Sequence, residues 1–249
     1  MKKRLFICMV FVACCISITN AQNLDKGLIR YKVVDFEMGG EMFDKMDAEQ
    51  AKQVKATMAP MMQKFTQTIA WDGENQVYET QMAGLSTTKI FTDLAKKKSI
   101  SYMDLMGQKY KIVSSIPEDN QNLSPELKEF RNDTKTIAGY DCYKVIYKVD
   151  MSKIMEIDNS IKNVKLPKDT QFEVYLTEKI KPSSYFTSSQ GVKLKGMPLE
   201  MSFNMQGIKM KLEAYEVNNN VDKSFFDQPS GYKETSQEDF IKKAGKIGK

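Results

Sequence analysis

The spacing of apolar residues changes period several times along the chain, and each change marks a new kind of element. Leu28 to Glu37, beginning Leu-Ile-Arg-Tyr-Lys-Val-Val, is β-branched and aromatic and predicts a first strand, stopped by Gly39-Gly40. Asp47 with Gln50 three residues later resembles a helix N-cap box. Ala51, Val54, Met58 and Met61 follow at helical spacing, with Pro60 expected to bend or end the helix. From Phe65 the period falls to two. Runs 65–71 and 76–82 flank Asp72-Gly73-Glu74-Asn75, a hairpin signal. Short strands are predicted over 88–94, 99–103 and 109–114, separated by 95–98 and 106–108.

The polar stretch from Pro117 to Arg131 predicts a loop or a short helix. The run from Ile137 to Val149 holds the clearest strand, with Tyr143, Val145, Tyr147 and Val149 on one face and Lys144 and Lys148 on the other. Ile154, Ile157, Ile161 and Val164 recur at helical spacing and predict a second helix, and 172–177 returns to strand. In the last hairpin Leu199, Met201, Phe203 and Met205 alternate with polar residues. Gly207 turns the chain, and Ile208, Met210, Leu212 and Ala214 alternate again. A polar, lysine-rich tail follows, helical from Ser236. The pattern predicts a mainly β, α+β domain over 22–233 with a tail at 234–249: an antiparallel sheet, wet on one face and covered on the other by short helices.

The first residues read differently. Met1-Lys2-Lys3-Arg4 is basic, Leu5 to Ile18 is apolar and uncharged, and Thr19-Asn20-Ala21 places small residues before Gln22. These are the three regions of a secretory signal peptide, so cleavage after Ala21 and export are expected. The apolar run falls short of the roughly 20 residues that span a bilayer. A competing reading is lipid attachment at Cys14, since Phe11-Val12-Ala13-Cys14 loosely resembles a lipobox. Against it, apolar Cys15, Ile16 and Ile18 follow at once.

Removing 1–21 takes three basic residues from 37 and none from the 32 acidic ones, leaving a net charge of +2. A nucleic-acid partner needs a concentrated basic excess, so none is expected. Cys8, Cys14 and Cys15 leave with the leader. Cys142 remains alone and can form no intramolecular disulfide.

The chain contains no histidine, which excludes Ser-His-Asp and Cys-His nucleophilic systems and every histidine-ligated metal site. No P-loop or dinucleotide fingerprint occurs. Ser86-Thr87-Thr88-Lys89 matches the S-x-x-K of penicillin-recognising enzymes, but the partner motifs are absent and Ile90-Phe91-Thr92 favours a strand over the required helix. It reads as a chance match. No cofactor and no metal site is expected. Cu(I) capture by thioethers would need tandem methionine repeats, which the chain lacks. Methionine is nonetheless abundant, at 17 residues, of which Met1 and Met9 belong to the leader. Flexible thioethers suit cavities that accept varied apolar ligands, and equally fill ordinary cores.

Three segments carry a family resemblance: Ile69-Ala-Trp-Asp-Gly-Glu-Asn-Gln-Val-Tyr78, Thr136-Ile-Ala-Gly-Tyr-Asp-Cys-Tyr-Lys144 and Phe225-Phe-Asp-Gln-Pro-Ser-Gly-Tyr232. The central one resembles the I-x-G-Y-x-C-x-K stretch of exported proteins of the DUF4412 type in Gram-negative bacteria, and of the family named for its Gly-Leu-Pro-Gly-Leu-Ile signature. Gly196-Met197-Pro198-Leu199 is similar to the start of that signature and then departs from it, so the DUF4412 type is preferred. More distantly, the order of strand, helix and hairpin resembles the LolA, LolB and LppX lipoprotein carriers. That resemblance implies a half-barrel over an apolar cavity, a periplasmic or outer-membrane-associated location, and lipid handling without catalytic residues.

Strand parity places Trp71, Tyr143, Val145, Tyr147, Met201, Phe203, Met205, Ile208 and Met210 on the inward side, with Met58 and Met61 capping them from the helix. Two functions fit this pattern. One is a non-catalytic envelope protein holding a lipid or other apolar small molecule in the half-barrel. The other is a structural protein with a filled core that contacts an envelope partner through its sheet edge or its basic tail.

Overall fold

The computed structural model describes residues 22–24, 26–44, 46–82, 85–115, 126–150, 170–182, 192, 194–205 and 207–244. The leader, the expected second helix at 154–164 and positions 117–125 lie outside them. In chain order the elements are β1 (Gln22–Leu24), β2 (Lys26–Met38), α1 (Glu41–Asp44), α2 (Ala48–Gln63), β3 (Thr66–Asp72), β4 (Asn75–Met82), β5 (Ser86–Asp93), β6 (Lys98–Leu105) and β7 (Gln108–Ser115). There follow β8 (Lys128–Ile137), β9 (Tyr140–Val149), β10 (Thr170–Thr177), β11 (Ile180–Pro182), β12 (Met197–Met205), β13 (Ile208–Asn218), β14 (Lys233–Glu234) and α3 (Gln237–Ala244).

Two meanders make the sheet. The order β14-β7-β6-β5-β4-β3-β2-β13-β12-β10-β9-β8 gives twelve strands among the described residues. The seam between the meanders is β2 against β13, antiparallel over the whole length from Leu28–Asn218 to Met38–Ile208. The sheet is an open, curved half-barrel, antiparallel except where β14 joins β7. β1 and β11 pair in parallel as a separate ribbon. Long strands with one apolar face need a partner for that face, which gives the sheet reason to curve.

Local chemistry accounts for the elements. Asp47 caps α2, its carboxylate accepting from the Glu49 amide at 2.9 Å and the Gln50 amide at 3.4 Å. Pro60 does not end the helix, which runs on to Gln63. In the last turn proline forfeits a single backbone bond, and the Lys64 amide closes the end on Met61 and Met62. α2 packs against β2, burying Met62, while Phe43 of α1 is also buried. Ser86–Lys89 lies on β5, so its serine heads no helix.

Two expectations need correction. Lys128 to Arg131 is not loop or helix but the start of β8, which reaches Ile137. The run 137–149 is not continuous either: Ala138 and Gly139, with φ of 48° and 83°, form a two-residue turn between paired Ile137 and Tyr140. Neither Asn-Gly nor Asp-Gly marks this turn, so the apolar run conceals it.

Candidate functional site

Register converts the separate strands into continuous apolar rows. Tyr147, Phe172, Phe203, Met210 and Phe36 stand opposite one another across β9, β10, β12, β13 and β2. The next row is Val145, Val174, Met201, Leu212 and Val33. Directly paired residues share a face, so the rows form one apolar strip five strands wide. Met205, Ile208 and Met38 extend it at the hairpin end.

Burial along the strip is graded. Tyr147 is 3% exposed and Phe172 7%, stacked with centroids 5.3 Å apart, and Phe203 leans on Phe172 at 5.8 Å. Toward the seam Phe203, Met205, Ile208, Met210, Phe36 and Met38 are only half-buried. Flexible thioethers are thus concentrated where the strip is open.

A polar network lies at the other end. The Tyr143 hydroxyl donates to Glu178 at 2.8 Å, and the Arg131 guanidinium lies 3.8 Å from the Tyr143 ring centre. Arg131 also pairs with Glu129 and Glu178, and Lys195 reaches Glu129 at 2.7 Å. Burial is the main cause raising the Tyr143 pKa, reinforced by the Glu178 carboxylate, so the phenol stays protonated. Opposite Val149, the buried Thr170 hydroxyl has no hydrogen-bond partner among the described residues. Such orphaned groups are uncommon in folded proteins.

The expected site residues are therefore distributed. Trp71 is wholly buried in a cluster with Ile29, Tyr31, Ile69 and Leu199. Tyr143, Val145 and Tyr147 belong to a second cluster with Phe172, Val174 and Leu176. Met201 packs against both, Met210 against the first and Phe203 against the second. Met58 and Met61 are half-buried on α2, whose buried methionine is Met62. Phe36, Met38, Phe172 and Thr170 join the strip through register alone, a signal that no local pattern contains.

The opposite side of the sheet at β8–β12 is ionic. Glu200 is almost wholly buried and takes an ion pair from Lys135, whose ammonium also lies 3.9 Å from the Tyr175 ring centre. Tyr175 donates to Asp133 at 2.8 Å, and Lys144 bridges Asp133 and Glu173. Each of these five charged side chains has a counter-charge, which suits a structural layer. Among the described residues no group of three or more acidic or cysteine side chains is placed to hold a metal, and no helix is long and apolar enough to cross a membrane.

No family model matches the chain, and no curated protein matches it. Among solved structures it is similar to PNGF-II in two crystal forms, at 12% and 13% identity with TM-scores of 0.45 and 0.43. Those alignments cover 89% and 88% of this chain but 33% and 32% of the other, so the chain spans about a third of PNGF-II. It is also similar to the Mycobacterium tuberculosis lipoprotein LppX, at 9% identity and a TM-score of 0.30, over 80% of this chain and 88% of that one.

Proposed function

We propose that this is an exported, non-catalytic envelope protein that holds a lipid acyl chain or another apolar ligand along the Phe36–Tyr147 strip. The graded burial of that strip carries the reading: a tightly packed aromatic end leads into a half-open end rich in methionine. A ligand-binding surface needs such partly dry area, with few polar groups at its margin. The orphaned Thr170 hydroxyl supplies a polar atom beside it. Export to the periplasm or outer membrane of a Gram-negative bacterium, and kinship with the DUF4412 type, belong to the same proposal and rest on the leader and the three motifs.

The test is native mass spectrometry of protein purified without detergent, with displacement of a fluorescent fatty-acid probe. Met205→Lys places a charge at the open end and is expected to remove probe uptake with little change in melting temperature. Phe172→Ala, in the packed end, is expected to cost about 3–4 kcal/mol. The second reading is a structural envelope protein with a filled half-barrel, favoured by the complete burial of Tyr31, Trp71, Met197 and Leu199. Absence of bound species and of probe uptake in the unmodified protein would leave that reading standing.

A further inference from the structure

On the face opposite the strip, a third apolar row crosses the other meander. Leu28, Ala70, Val77, Phe91, Ile100 and Val113 are paired in turn across β2 to β7. Strand alternation puts Leu28 on the other side of β2 from Val33. The chain after β13 folds over this row: Val221 packs on Leu28 and Ala70, and Phe225, Phe226 and Tyr232 on Val77, Phe91 and Tyr102. Asp222 caps the 3-10 turn 223–226 by accepting from the Ser224 amide at 2.9 Å, which fixes where Phe226 enters.

The cover is incomplete. A cavity of about 370 Å³ remains between it and the sheet, with Val77, Phe91, Ile100 and Phe226 as its apolar lining. One step along the same face lies a polar row, Asn75, Asp93 and Lys98, also paired across β4, β5 and β6. These three side chains also line the cavity, together with Gln76, Thr92, Lys96 and Gln228. The Asp93 carboxylate is already engaged, accepting from the Lys96 amide at 2.9 Å and from its ammonium at 2.7 Å. Lys98 therefore has no ion-pair partner among the described residues, although it faces Asp93 across the ladder. Gln228 is anchored by its carbonyl, which accepts from the Tyr102 hydroxyl at 2.9 Å, leaving its amide hydrogens to donate.

An apolar chamber beside an uncompensated cation and a free amide donor matches one kind of molecule. We propose that this cavity is a second ligand site, for a small amphiphile with an apolar body and a single carboxylate, the carboxylate held by Lys98 and Gln228. The volume lies toward the small end of ligand pockets, which selects a medium-length chain over a membrane lipid. The site is separate from the Phe36–Tyr147 strip, and its existence does not require that strip to bind anything.

Calorimetric titration of the full chain with octanoate and with octanol tests this. Octanoate is expected to bind saturably at this one cavity in the Met205→Lys background, where the strip takes up no apolar chain. Lys98→Gln, at an exposed position, should weaken octanoate roughly five- to tenfold and leave octanol unchanged, since only the charge-assisted contact is lost. Ile100→Phe should fill the chamber and abolish both. Met205→Lys, in the strip, should leave octanoate binding intact. The proposal is overturned if octanoate does not saturate, if Lys98→Gln binds it as tightly as the parent protein, or if Met205→Lys removes it.

Discussion

The indole of Trp71 lies against the backbone of Gly27, its partner across the β2–β3 ladder, so closely that a Cβ on Gly27 would fall 2.2 Å from the ring. The ring cannot retreat, because Trp71 is completely buried among Ile29, Tyr31, Ile69 and Leu199. Gly27→Ala is therefore expected to destabilise by about 2–3 kcal/mol through overpacking. Gly39→Ala, where nothing lies within 4 Å, should change stability by less than about 1 kcal/mol. Urea unfolding followed by emission of the sole tryptophan reads both.

The β8–β9 turn predicts a gain. Ala138 is exposed and held at φ 48°, a conformation costly for alanine and tolerated by asparagine. Ala138→Asn should raise the unfolding midpoint by the equivalent of about 0.5–1 kcal/mol, with no change in denaturant slope. A lower midpoint would argue against a type I′ turn.

Thr170 should also be improvable. Its hydroxyl is buried without a partner among the described residues, so Thr170→Val keeps the shape and removes an unsatisfied group. The expected gain is about 1 kcal/mol by urea titration. If the hydroxyl instead serves a ligand of the strip, the same substitution weakens probe uptake while stabilising the empty protein, a combination that a purely structural role would not produce.

Alkaline pH should destabilise the fold from about pH 9 upward. Burial pushes the Cys142 thiol up to about 11 and the Tyr78 phenol up to about 12. Both groups are favoured in their neutral form, so the unfolded chain releases these protons first. Stability is full below the unfolded pKa values, roughly 8.5 for a thiol and 10 for a phenol, and falls as pH rises through the folded ones. The Cys142 sulfur, which donates to the Tyr140 carbonyl at 3.4 Å, should resist a disulfide reagent at pH 8 until urea is added. Rapid labelling of the native protein would contradict its burial.

Much of the architecture was legible wherever it depended on neighbours in sequence. The alternation 199–205 and 208–214 specified the last hairpin, and Asp47 with Gln50 marked the start of α2. Parity also put Trp71 and Val145 on a common face, as the register bears out. Parity does not encode depth: Trp71 sits in a closed cluster, while Met205, read as equally inward, is half-exposed. The Phe225–Tyr232 segment was recognisable as a motif, yet its role as the cover over Val77 and Phe91 was invisible along the chain.

By itself the sequence determined periodicity, caps and most turns, and it removed histidine chemistry, because each depends on residue type or on spacings of a few positions. Only the tertiary structure decided that β2 meets β13 and that Phe36 thereby joins a row with Phe203 and Tyr147, strands apart by more than a hundred residues. Many registers satisfy the same alternation along a single strand. The choice among them comes from the packing of all the strands together, where one residue of slip would turn every apolar side chain of a strand to the wrong face.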